Sequence, residues 1–293
     1  MIRIFVLCAL LISAGSFLLA QSPTRPSFMS AAVIQHTGVS ETLTADFPRP
    51  LSQAIETISQ EYGWIVDFED PHYISHFDLV DCTDPTWRAS HPNEKGALRV
   101  SGGFFQSNFP EPSTISAGDP EEQVLQKLVA DYNASGNPGK FVVRTEAEGR
   151  YAIIGVSRKD ENGRDEAVNA PLDTPISFPV QQRDARATLN LIVDSVTANS
   201  GVKVYLGMTG LSSNPLQEAT VTIGGSNVPA RTLLMQALDG VSSESPHFRG
   251  IFEWESLFNA DMNAYYLNLR SATKSVTDSN GRKTIQFTRY PRN

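Results

Sequence analysis

Cysteine is almost absent from this chain: Cys8 and Cys82 are the two in 293 residues. Cys8 lies in an apolar N-terminal run, so one thiol remains beyond it, and one thiol closes no internal disulfide. Stability must therefore come from core packing. Histidine is scarce, with five, and charged residues make up 19%. No Gly-x-Ser-x-Gly elbow, P-loop or Gly-x-Gly-x-x-Gly fingerprint occurs, which removes the commonest hydrolase and nucleotide-binding signatures. No basic stripe runs along the chain. The net charge is −8, and binding nucleic acid requires neutralising phosphates, so no nucleic-acid partner is expected. Beyond residue 20 no apolar run approaches the roughly 20 residues of a membrane-spanning helix, and no transmembrane span is expected in the mature chain.

What is present begins with a targeting pattern. Arg3 supplies a short positive region, Ile4 to Leu19 is mostly apolar, and Leu18-Leu19-Ala20 before Gln21 suits a cleavage site. Residues 1–20 read as a signal peptide and the protein as periplasmic or secreted, in a bacterial envelope. Residues 21–40 read as a polar spacer.

The remainder says the same thing twice. PLSQAIETISQEYGWIVDF (50–68) and DARATLNLIVDSVTANSGVKVY (184–205) are each an amphipathic helix that stops at a glycine and enters a strand. Leu51, Ala54, Ile55, Ile58 and Tyr62 share one face of the first, and Leu189, Ile192, Val193 and Val196 one face of the second. Gly63 and Gly201 are the expected left-handed stops. Further on, DPEEQVLQKLVADYN (119–133) is answered by NVPARTLLMQALDGV (227–241), each opened by a proline and followed by a strand–turn–strand pattern. The expected fold is α+β: two tandem βαββαββ-type modules, each with two helices on small mixed sheets. The first spans 41–157, a charged linker 158–175, and the second 176–271. A basic strand or tail occupies 272–293, with Lys274, Arg282, Lys283, Arg289 and Arg292 against Asp278. In the second module, 219–223 is expected to pair with 202–205. The first module carries an insertion at about 70–118, because Gly63 to Pro120 is roughly thirty residues longer than Gly201 to Pro229.

This order resembles the short N-terminal domain shared by secretins and TonB-dependent receptors, and related secretin ring modules. The matching positions are Leu51, Ala54, Ile55 and Gly63, then Leu189, Ile192 and Gly201, for the first helix of each copy. For the second helix they are Val124, Leu125 and Leu128, then Leu233, Leu234 and Leu238. These are packing positions covering about two thirds of the mature chain. No barrel, secretin core or TonB box accompanies them. The resemblance implies a non-enzymatic envelope protein that docks an envelope protein partner through exposed sheet edges, with a homo-oligomer compatible. It implies no cofactor.

Two other readings come from the insertion. His72, His76, Cys82 and His91 lie among several aspartates and are metal-ligand types, so a metal-dependent hydrolase is one alternative, with Cys82 as nucleophile in a second version. Yet Pro71 speaks against a helix that would align His72 with His76, and no glutamate follows His72 as in a zincin. The aromatics Trp87, Phe104, Phe105 and Phe109 are candidate binding residues for a protein partner or for cell-wall glycan.

Overall fold

The structure is a computed structural model, and it describes residues 32–209, 215–245, 248 and 250–288. The expected leader, most of the expected spacer, and Arg289 and Arg292 of the tail lie outside the described residues. The fold is α+β. The first half runs β1 (Val33–His36), β2 (Ser40–Ala45), α1 (Pro50–Tyr62), β3 (Ile65–Glu69), β4 (Leu79–Asp81), α2 (Pro85–Ser90), β5 (Leu98–Val100), β6 (Phe105–Pro110), α3 (Pro120–Ala134), β7 (Lys140–Ala147), β8 (Arg150–Lys159) and β9 (Asp165–Ala167). The second runs β10 (Pro175–Asp184), α4 (Ala185–Ser200), β11 (Lys203–Thr209), α5 (Pro215–Glu218), β12 (Thr220–Pro229), α6 (Ala230–Glu244), β13 (Phe252–Asn259) and β14 (Ala264–Ser271). A hairpin of β15 (Thr273–Thr277) and β16 (Lys283–Phe287) follows. Among the described residues no helix is long and apolar enough to cross a membrane.

Local chemistry sets the helix ends. Pro50 opens α1, and Gly63 closes it at φ +78° with its N–H on Ser59 O at 2.8 Å. Asp119 caps α3 by accepting from Glu121 N at 2.9 Å, and Asp184 caps α4 by accepting from Ala187 N at 2.9 Å. The apolar stripes are buried as their spacing requires. Leu51, Ile55 and Ile58 of α1 are almost fully enclosed, each contributing about 1.5–3 kcal/mol through burial.

Both halves pair their strands in the same way. β2 and β6 are antiparallel, as are β10 and β12. β3 lies parallel to β8, as β11 does to β14. β7 and β8 form an antiparallel hairpin, as β13 and β14 do. The expected pairing of 219–223 with 202–205 is corrected: β12 joins β10, and β11 joins β14. The chain between the two strands carries α5, which lets β12 return to β10 rather than fold back on β11. β1, inside the expected spacer, pairs along the outer side of β2.

The halves are not strung on an open linker. They share one sheet, ordered β11-β14-β13-β3-β8-β7, with β9 also on β8. β13 runs parallel to β3, with Glu255 opposite Phe68 and Ser256 opposite Glu69. One face of this sheet gives Val66, Phe68, Tyr151 and Ile153 to the core under α1 and α3. The other gives Ala152, Ile154, Trp254, Tyr265 and Leu267 to the core under α4 and α6. Segment 158–175 holds the end of β8, strand β9 and a short turn that buries Leu172, whose N–H donates to Glu69 Oε1 at 3.0 Å.

Glu121, in the first turn of α3, is more than a dipole partner. Burial, together with the neighbouring Asp119 and Glu253 carboxylates, pushes its carboxyl up to about 8. Its Oε1 is buried without a hydrogen bond among the described residues. A carboxyl raised on folding stabilises the protein fully below its unfolded value, about 4.5, and that contribution is lost as pH rises through about 8. Glu121→Gln is therefore expected to flatten the fall in melting temperature between pH 4.5 and 8.5, and to raise it at the upper end. Parallel melting curves for the two proteins across that range would refute this.

Candidate functional site

The insertion is folded and anchored at both ends. β4 and β5 pair antiparallel, and Asp84 caps α2 by accepting from Thr86 N at 2.8 Å. Asp78 Oδ2 accepts from Lys159 N at 2.6 Å, and Arg158 donates to His72 O at 2.7 Å. At the other end Asp261, in the β13–β14 turn, accepts from Leu98 N at 2.6 Å and from Arg99 at 2.7 Å. Gly155 accepts Pro71 against its backbone, where a Cβ would lie 2.4 Å from Pro71 N. β6 pairs with β2 as β12 pairs with β10, so Phe105 and Phe109 stand in the strand order that the two halves share.

The histidines and Cys82 are engaged separately. His72 Nε2 lies 2.9 Å from Asn263 Oδ1 and its ring meets Phe258 edge-on at 4.8 Å. His76 packs on Phe77 at 4.1 Å, and His91 stacks on Trp87 at 4.7 Å and 12°. Among the described residues no three His, Cys, Asp or Glu side chains are grouped to hold a metal. Burial and Asp81 push the Cys82 thiol up, with Arg99 opposing. It stays protonated at neutral pH, the opposite of an activated nucleophile.

The aromatic candidates divide. Phe105 and Phe109, at 1% and 2% exposure, are core residues on the inward face of β6, facing α3. Trp87 and Phe104 are exposed, at 39% and 64%. Ile74, Phe77 and Val80 are exposed beside them in sequence, so the insertion presents five large apolar side chains to solvent.

Among the described residues most of the buried charged side chains lie at the joint between the halves. Three buried acids, Asp67 and Glu69 of β3 and Asp70 just beyond it, each meet an arginine from a different element. Arg150 Nε is 2.9 Å from Asp67, Arg231 Nη2 2.7 Å from Glu69, and Arg49 Nε 2.8 Å from Asp70. The acids also bridge the strands. Asp67 accepts from Trp254 N at 2.9 Å and Asp70 from Phe258 N at 3.1 Å, while Glu253 accepts from Val66 N at 3.3 Å. Burial pushes all three carboxyls up against the downward pull of their arginines. These buried pairs hold the joint together. No protein-family model, curated protein or solved structure matches this chain.

A cleft of about 360 Å³ opens where β5 faces the β13–β14 hairpin. Its floor is the solvent-side face of β14, with Tyr266 and Asn268, and its walls include Leu98, Arg99, Val100, Leu257 and Asn259. Sequence reasoning missed it by reading this stretch only as part of the strand–turn–strand pattern that closes the second half. The alternation was there: Tyr265, Leu267 and Leu269 are buried, and Tyr266 and Asn268 point the other way.

Proposed function

We propose that this is an exported, non-enzymatic envelope protein whose two secretin-like modules form a scaffold presenting the inserted segment to a protein partner. The observation that carries this reading is the insertion's exposed set of Ile74, Phe77, Val80, Trp87 and Phe104 on a segment anchored by Asp78 and Asp261. Exposed apolar side chains on a fixed support are what an interface core requires, because little ordering entropy is lost on docking. The shared strand order of the two halves supports the resemblance to the short N-terminal domain of secretins and TonB-dependent receptors. The outer hairpin, with Ile285 and Phe287 exposed on β16, offers a second contact surface.

The test is crosslinking and affinity capture from envelope extract with the wild type and with Trp87→Ser/Phe104→Ser. A specific partner is expected with the first and lost with the second. Each exposed substitution should move stability by no more than about 0.5 kcal/mol. Identical capture profiles for the two proteins would sink the proposal.

A further inference from the structure

We propose that the cleft between β5 and the β13–β14 hairpin binds a neutral saccharide, independently of the partner surface on the insertion. The floor supplies aromatic ring faces, inclined to each other at 39°. Tyr266 lies in the cleft, and its register partner Tyr205, 42% exposed, extends the aromatic surface beyond it, the rings 5.7 Å apart. Beside them the Asn268 amide lies over Gly207, where a Cβ would stand 2.1 Å from its Oδ1. The Asn268 side chain has no hydrogen-bond partner among the described residues, and Asn259 uses only its oxygen, accepting from Met262 N at 3.0 Å. Tyrosine rings therefore meet amide donors and acceptors at one place. That matches a pyranose ring, which has an apolar C–H face and a rim of hydroxyls. The volume falls within the range of small-ligand sites, about 300–1,000 Å³.

Charge argues for a neutral ligand. Both arginines lining the cleft already hold an acid: Arg49 meets Asp70 at 2.8 Å, and Arg99 meets Asp261 at 2.7 Å. An anion would have to compete with these carboxylates. A peptide adding itself as a strand is disfavoured as well. The cleft floor is a sheet face rather than an edge, and at the neighbouring edge Val204 N already donates to Thr197 Oγ1 at 3.0 Å.

The experiment is calorimetric titration of the exported chain with cellotetraose, chitotetraose, tri-galacturonate and tetra-alanine. At least one neutral oligosaccharide is expected to bind. Tyr266→Ala should weaken it by about tenfold or more, and Asn268→Ala by about fivefold. Gly207→Ala should also weaken it, because the added Cβ displaces the Asn268 amide without removing a polar group. If Tyr266→Ala folds poorly by circular dichroism, Tyr266→Leu replaces it, keeping apolar area and losing the flat ring. The proposal is overturned if neither neutral oligosaccharide binds. It is also overturned if the variants bind as the wild type does, or if the acidic sugar or the peptide binds more tightly than both neutral probes.

Discussion

Replacing Arg150 with methionine is expected to lower stability by about 3–5 kcal/mol, the cost of leaving a buried charge without its partner. Arg150 is 5% exposed. It donates to Asp67 at 2.9 Å and to the Phe252 carbonyl at 3.1 Å, so it ties β8 to the adjacent β3 and, across β3, to β13 of the other half. Methionine fills most of its volume, which isolates the electrostatic loss from a cavity effect. Asp67, fully enclosed, would keep only the N–H of Trp254. For a chain of this size the melting temperature should drop on the order of 10 °C. Adding Asp67→Asn removes the orphaned charge yet retains an acceptor for Trp254 N, and should recover about half of the loss or more. A denaturant series on the wild type, both single variants and the double variant gives the coupling directly. An Arg150→Met midpoint indistinguishable from wild type would show that the pair contributes nothing to the joint.

How much of this could be read from the sequence depends on the range of each interaction. The ends of α1, α3 and α4 are local events. Pro50 with Gly63, Asp119 with Pro120, and Asp184 with Gly201 determine them within a turn or two, and these ends fall where the residues indicate. The closing hairpin was legible for the same reason. Strand partners were not. Trp254 meets Asp67 across 187 positions of chain, and nothing local in either strand names the other. Asp67 stood inside the expected strand and Asp70 at the start of the expected insertion, and Asp67 and Glu69 interrupt an otherwise apolar strand. Acids inside such a strand signal buried pairing, and three distant arginines were required to complete it. Phe105 and Phe109 carried their own warning, because Phe105, Ser107 and Phe109 alternate inward along β6. Leu172 carried none, since one apolar residue in a charged stretch makes no periodicity.

The shared sheet leads to the second large effect: neither half should fold alone. Protein made as residues 32–173, or as 175–288, is expected to lack a cooperative melting transition, whereas the intact chain melts in one. The first half alone would bare Ala152 and Ile154 of β8, which belong to the core under α4 and α6. Glu69 would lose Arg231, and Asp67 and Asp70 would lose the N–H groups of Trp254 and Phe258. A buried carboxylate stripped of its partner costs about 3–5 kcal/mol, against a total stability of about 5–15 kcal/mol for a folded protein. One orphaned acid plus the uncovered sheet face consumes most of that margin. The second half fares no better, because Trp254 packs under the Arg231 guanidinium at 5.2 Å and that buried arginine would lose Glu69, Glu146 and Asp173 together. Calorimetry of the intact chain should give equal calorimetric and van't Hoff enthalpies. Two resolved transitions, or a sharp melt from either half alone, would mean that the modules are separable and that the buried acids are accommodated without the joint. A shared strand order thus does not make a half autonomous: each half completes its sheet and neutralises its interior only against the other.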